Sequence, residues 1–375
     1  MKETKITAYK GFDENLCCKG FQYEVGKEYE LDGEIECFGN GFHACTNPFD
    51  VLIYYDANGR NRFCIVELSG TIKSDKQNRM QASSKIKIIA EIGMDGLFKA
   101  GVEWIKKKTN PDTIIKTAAK KGNIEGGDNA KIGSNGDKAK IGLSGDDAKI
   151  GSSGDFVQIS SSGLRAHIGS SGNYAKIGSS GLHAHIDSSG NHAKIGSIGD
   201  CANIGSSGYN AYIGSSGDSA QIGSSCFCAQ IGSSGEFAKI GSSSSFARIV
   251  SSGDYAQIGL SGLSVNIVSS GYLAQIGSSG EDAKIVSSGN SAKIGSSGNS
   301  AWIESTGEDS VICCAGDNSM VRAKKGSWVT LSEWGYSEEQ KRHIPVCVKT
   351  EFVDGERIKE DTWYKLVNGE FVEQK

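Results

Sequence analysis

Residues 166–183 read AHIGSSGNYAKIGSSGLH, two consecutive copies of a nine-residue unit, A-x-I-G-S-S-G-D-x. From Ile132 to Ile312 isoleucine returns at every ninth residue without a miss, 21 in register. Two residues before each stands Ala, or in three units Val157, Val265 or Ser310, and four residues after it stands Gly, except at Cys226 and Ser244. A short fixed period of this kind is the signature of a solenoid.

Within A-x-I the apolar residues alternate with a polar one, the period of a half-buried strand. Ala and Ile are expected inward and the residue between them outward. G-S-S-G-D-x reads as turn, with Gly supplying positive φ and Ser and Asp bonding nearby backbone. The exceptions count the sides of the coil. Val250, Val268 and Val286 replace the Gly after Ile at a spacing of 18; Cys226 and Ser244, and His167 and His185, also stand 18 apart. Like residues recur once per coil, so one coil is 18 residues with two strands and two turns. The fold class is mainly β: a parallel, two-sided β-roll of ten to eleven coils. It is right-handed by the general preference of parallel crossovers and roughly 50 Å long at the usual strand spacing.

Three regions follow: a small α+β domain over 1–121, the solenoid over 122–332 and a β-hairpin cap over 333–375. In the first, Lys5–Tyr9, Phe21–Val25, Gly41–Cys45, Arg62–Leu68 and Lys85–Ile92 read as strands. Asn47 caps a helix over Phe49–Tyr55, Met94–Lys108 has helical periodicity, and Asp112-Thr113 starts a further helix. In the last, Trp328–Leu331 reads as a final strand. The Asp354-Gly355 and Asn368-Gly369 turns then mark hairpins that cover the end of a roll otherwise prone to edge pairing, or form a homo-oligomer contact.

Met1 to Lys5 leads into no apolar stretch, no run of 18 apolar residues occurs, and the eleven cysteines are an odd number. The expectation is reduced thiols in the cytoplasm of a bacterial host, with no membrane span.

The residues between Ala and Ile form two outward ladders, among them His167 and His185 on one side and Lys176, Lys194 and Tyr212 on the other. Residues 122–312 carry 11 Lys and Arg against 16 Asp and Glu, net −5, which argues against nucleic acid as a partner. A calcium roll would need an acid where Ala130 and Ala139 stand, and ice binding needs flat rows of small groups that Lys, His and Gln interrupt. Aromatic residues gather on the turns: Tyr209, Phe227, Phe237, Phe246 and Tyr255, close in sequence. Together with Tyr212, His167, His185, Lys176 and Lys194 they are the candidate surface for a protein partner.

Two sets of residues in the first domain could carry chemistry. Cys37, His43 and Cys45 are metal-ligand types, but lack the paired C-x-x-C spacing of structural zinc sites. The order Tyr9-Lys10-Gly11, Gly41-Phe42-His43, Tyr54-Tyr55 and Glu67 resembles the layout of ADP-ribosyltransferase-like domains. That resemblance implies NAD as cofactor, Glu67 as the residue orienting the attacking group, and His43 or Tyr54 lining the nicotinamide pocket. Lys10 departs from it, standing where that family uses His or Arg.

The whole chain resembles phage- and prophage-encoded proteins of unknown function. These join an N-terminal domain with a GFHAC-NP-type motif (here residues 41–48) to A-x-I-G-S-S-G-D-x repeats and a VKT…DTWYKLVNGEF tail (here residues 348–371). The resemblance implies a phage role, counter-defence among them. The reading is a non-enzymatic interaction protein that binds a host or phage macromolecule through the solenoid ladders, with no cofactor. The alternative is an NAD-dependent modifying enzyme in the first domain, using the solenoid as a substrate arm.

Overall fold

The computed structural model describes residues 4–55, 61–75, 80–93, 96, 97, 100, 101, 103, 104 and 127–374. The chain divides into two compact units, residues 1–104 and 105–375. The expected helix at Asp112-Thr113 and the expected boundary at residue 121 lie outside the described residues.

The first unit is built from β1 (Ile6–Phe12), a small hairpin of β2 (Cys17–Cys18) and β3 (Phe21–Gln22), β4 (Glu28–Glu30), β5 (Phe42–Cys45), β6 (Arg62–Ser74) and β7 (Met80–Glu91). β1 pairs with β5 and β6, and β7 with β5, β6 and β4, so the sheet closes on itself. Alternation sends Ala8, Phe12, Cys64, Val66, Leu68, Ile86 and Ile88 into one core. The expected strands are present, with two differences. β6 and β7 are longer, because their pairing continues beyond the bulge near Ser69, and Phe21–Val25 yields only a two-residue strand. The segment after Asn47 forms a 3-10 helix, Pro48–Ile53, begun by the Asp50 N–H donating to the Asn47 carbonyl at 3.0 Å. The described positions between 93 and 104 are helical, with Leu97 fully buried.

In the second unit β8 (Lys131–Ser134) through β29 (Met320–Ala323) are 22 four-residue strands, alternating between two parallel sheets. Each residue pairs with the one 18 positions on, as Lys149 with His167 and Ile150 with Ile168. We call the sheet containing β8 face A and the one containing β9 face B. The coil is therefore the two-sided, 18-residue one that the substitutions imply, wound about eleven times.

The strand itself is longer than A-x-I. It continues through the Gly to the first Ser, so each coil turns inward three residues per side: Ala, Ile and Ser. The alanines and isoleucines are almost all fully buried, and so are Ser161, Ser179, Ser197 and Ser233. The hydroxyls of fourteen such serines find no hydrogen-bond partner among the described residues. Serine, read from sequence as turn, is a core residue here: its small volume lets the chain bend into the turn within the packed layer.

The Gly after Ile is correspondingly outward, and the faces treat this position differently. On face B it is buried, and Val250, Val268 and Val286 fall there; on face A it is open and remains Gly through most coils. The recurrence of valine at 18 follows burial on one face.

β30 (Trp328–Ser337) stacks in parallel on β28 (Val311–Cys314) and continues without a break into an antiparallel hairpin with β31 (Arg342–Phe352). β32 (Trp363–Val367) adds antiparallel to β29 and pairs with β33 (Glu370–Gln374). Each parallel sheet thus ends in an antiparallel pair. Among the described residues no helix is long and apolar enough to cross a membrane.

Candidate functional site

The turns set the geometry of the solenoid surface. Positive φ belongs not to the Gly of S-S-G-D-x but to the final residue, the one before Ala: Phe156 at 58°, Tyr174 at 57°, Phe237 at 55° and Tyr255 at 57°. The turn glycines serve another need. A Cβ at Gly172 would lie 1.8 Å from the carbonyl oxygen of Gly154 one coil below, and at Gly181 1.9 Å from that of Gly163. Stacked turns approach too closely for any side chain there.

The Asp or Asn after that Gly bonds the neighbouring coil, not its own turn. Asp137 Oδ1 accepts the Asp155 N–H at 2.9 Å, Asp155 that of Asn173 at 2.7 Å, and Asn173 that of Asn191 at 3.0 Å. Asn191 in turn accepts the N–H of Tyr209 at 2.8 Å. There this run of acceptors stops, because Tyr209 and Phe227 occupy the next two acceptor positions.

On this edge, formed by the turns entering face B, six rings follow one another: Phe156, Tyr174, His192, Tyr209, Phe227 and Phe246. Centroid separations are 4.9, 4.8, 5.8, 5.7 and 5.3 Å. Phe156 and Phe246 remain 50% and 49% exposed. The opposite edge carries a shorter file, Phe237, Tyr255 and Tyr272, at 5.0 and 6.1 Å.

The residues singled out for binding therefore do not share one patch. Tyr209, Phe227 and Phe246 lie on one edge, Phe237 and Tyr255 on the other. Tyr212, Lys176 and Lys194 are on face B, with Lys194 Nζ 6.0 Å from the Tyr212 ring centroid. His167 and His185 stack at 4.8 Å on face A. Closeness in sequence misled because successive nine-residue units alternate between the two sides of the rod. Sequence reasoning also overlooked that face A carries a second outward row, the Gly after Ile. At Gly133, Gly151, Gly223, Gly241, Gly259, Gly277 and Gly295 a Cβ would meet nothing within 4 Å. Asp187 interrupts that row, putting an acid on an outward ladder that the residues between Ala and Ile alone left without one.

In the first unit a cavity of about 600 Å³ opens beside β1 and β5. Phe21, Tyr23, Phe38, Phe42, Tyr54 and Tyr55 contribute to its walls, with Lys10, Cys18 and His43 among the polar groups. Lys10 is 6% exposed and its Nζ donates to the His43 carbonyl oxygen at 2.9 Å. Burial lowers its proton affinity, countered by the nearby Cys18 thiol. Burial likewise pushes the Tyr23 and Tyr55 phenols up. The His43 ring is tied down: its Nε2 accepts the Phe38 N–H at 3.0 Å, and burial lowers its pKa. Gly11 is required here, since a Cβ would stand 2.4 Å from Cγ of the Tyr55 ring.

Of the four residues weighed for catalysis, Lys10, His43 and Tyr54 line this cavity. Glu67 is not among its lining residues; its carboxylate accepts from Lys5 Nζ at 2.7 Å. Cys37, His43 and Cys45 are likewise engaged separately, the Cys37 thiol donating to the Lys73 carbonyl at 3.3 Å while Cys45 is buried. Among the described residues no group of three or more His, Cys, Asp or Glu is placed to hold a metal ion.

Residues 6–100 match a family described as Domain of unknown function (DUF7666). The match takes in β1 to β7 and the cavity, and stops short of the solenoid. No curated protein and no solved structure matches the chain.

Proposed function

We propose that the chain is a non-enzymatic interaction protein whose solenoid docks a protein partner along the six-ring edge. The supporting observation is what the edge gives up to carry those rings. Phe156, Tyr174 and Phe246 occupy left-handed backbone that suits Asn or Gly far better than a bulky side chain. Tyr209 and Phe227 stand where Asp or Asn elsewhere accepts a neighbouring N–H. Half-exposed aromatics on a rigid support are the usual anchors of a protein interface. A phage origin and a host partner, counter-defence among the roles, belong to this reading as its finer form. Glu67, paired with Lys5 away from the cavity, lends nothing to the NAD-dependent alternative.

The test uses the full chain and a variant with Tyr174, Tyr209, Phe227 and Phe246 all changed to Asn, a residue that suits each position. Both are used to capture proteins from bacterial lysate, with circular dichroism to establish that the variant folds. One specific protein retained by the parent and lost by the folded variant is the expected outcome. Equal capture by both removes the edge from the interface. A captured protein heavier by an ADP-ribose would replace this reading with the enzymatic one.

A further inference from the structure

The cavity of the first unit holds a buried lysine with no carboxylate among its described lining residues. Lys10 shares the inward side of β1 with Ala8 and Phe12, both fully buried, and pairs across the sheet with Cys64, whose thiol burial pushes up to about 12. A buried ammonium is expensive unless a carboxylate or similar anion compensates it. Among the described residues no Asp or Glu lines the cavity. The titratable groups that face it are the Cys18 and Cys45 thiols, the Tyr9, Tyr23, Tyr54 and Tyr55 phenols, the His43 imidazole and a second cation, Lys19. The ammonium meets the Phe12 ring, 5.4 Å from Nζ, the His43 carbonyl oxygen and, by a hydrogen bond, the Cys18 side chain. A leucine here would add to the core at no such cost, so the lysine has a use that packing does not explain.

A lysine desolvated by burial, with no carboxylate beside it, holds its proton less tightly than an exposed one, and the neutral amine is the form that attacks carbonyl carbon. The volume beside it accommodates a small molecule, and its ring-lined walls suit a flat one. We propose that this cavity is a carbonyl-ligand site, in which the Lys10 amine forms a reversible imine with an aromatic aldehyde or ketone. The lone pair of Nζ adds to the carbonyl carbon and the carbonyl π pair moves to oxygen, giving a carbinolamine. Both hydrogens of the amine then leave with that oxygen as water, and the C=N bond closes. No oxidant or reductant takes part. Tyr55, whose Oη lies 3.0 Å from Cys18 Sγ, lines the same cavity as Lys10.

The site lies in the first unit and is independent of the solenoid reading. The test uses the intact protein with limiting 2-hydroxybenzaldehyde and cyanoborohydride at pH 7, followed by peptide mass spectrometry. An exposed lysine is unprotonated only about once in 2,500 at this pH. Lys10 is therefore expected to carry the reduced adduct at least tenfold ahead of surface lysines such as Lys131 and Lys149, an advantage that shrinks towards pH 10 as those amines also deprotonate. Without reductant, the near-ultraviolet band of the imine should form with the parent and not with Lys10→Met, an apolar replacement that the core accepts. An unlabelled Lys10, or one labelled no faster than the surface lysines, overturns the proposal. So does an imine band that persists unchanged in Lys10→Met.

Discussion

At Gly181 a methyl group would stand 1.9 Å from a backbone carbonyl oxygen, whereas at Gly241 it would meet nothing within 4 Å. These two glycines, one in the turn of the repeat and one following Ile in the strand, answer to different physics. Gly181→Ala forces two stacked turns apart and is expected to cost about 2–3 kcal/mol, the scale of overpacking a well-filled site. Gly241→Ala removes the entropic penalty of glycine in a strand and is expected to be neutral or to stabilise by about 0.5–1 kcal/mol. Urea unfolding of the two variants against the parent decides the matter; similar midpoints would mean that turn stacking does not dictate the glycine. Sequence alone made the opposite assignment, giving the turn glycine the positive φ. Nothing in a list of residues says whether a glycine is needed for its own dihedral or for a neighbour 18 residues away. The αL residue also carries no compositional mark, being Phe, Tyr, His, Ser or Asp in different coils.

At the scale of the element, the cap joins the solenoid through one unbroken strand. β30 leaves the parallel stack and enters the hairpin with β31, where Glu351 pairs with Val329 across the ladder. The Glu351 carboxylate accepts from Arg357 and lies 3.4 Å from Lys349 Nζ. Arg357 first, then Lys349, holds this carboxyl below the usual glutamate range, against the opposing effect of burial. A depressed folded-state value stabilises above the unfolded pKa, about 4.3, and the benefit disappears as pH falls through the folded value. Glu351→Gln should therefore weaken the hairpin at pH 7. Because Arg357 is 58% exposed, the loss is expected to be about 1 kcal/mol or less. Parent and variant should converge as the pH drops below about 4. Hydrogen exchange of the Val348–Phe352 amides reports it, and a difference that persists at low pH would place the effect elsewhere.

For the whole molecule, each coil makes its contacts with its neighbours, so stability accumulates along the axis and the ends need protection. Removing residues 327–375 would strip β30 from β28 and β32 from β29, leaving two parallel edges uncovered. The shortened chain is expected to form end-to-end assemblies, seen as species larger than the parent in light scattering after gel filtration. A shortened chain of the same oligomeric state as the parent would show that the cap is not what prevents such pairing.

What the sequence determined unaided is the periodic part. The strict nine-residue return of isoleucine and the recurrence of exceptions at 18 specified a two-sided parallel roll. In a stack each residue's environment repeats with the coil, so one-dimensional period and three-dimensional neighbour are the same fact. The tertiary structure alone decided which surfaces the side chains share. It moved Phe237 and Tyr255 to the edge opposite Phe227 and Phe246, because half a coil separates successive units. It drew the serines into the core and set the valines of face B under cover. In the aperiodic first unit the strands were legible from alternation. That Lys10, His43 and Tyr54 border one cavity while Glu67 pairs with Lys5 away from it depends on how the sheet closes, a pairing of distant strands that no local pattern encodes.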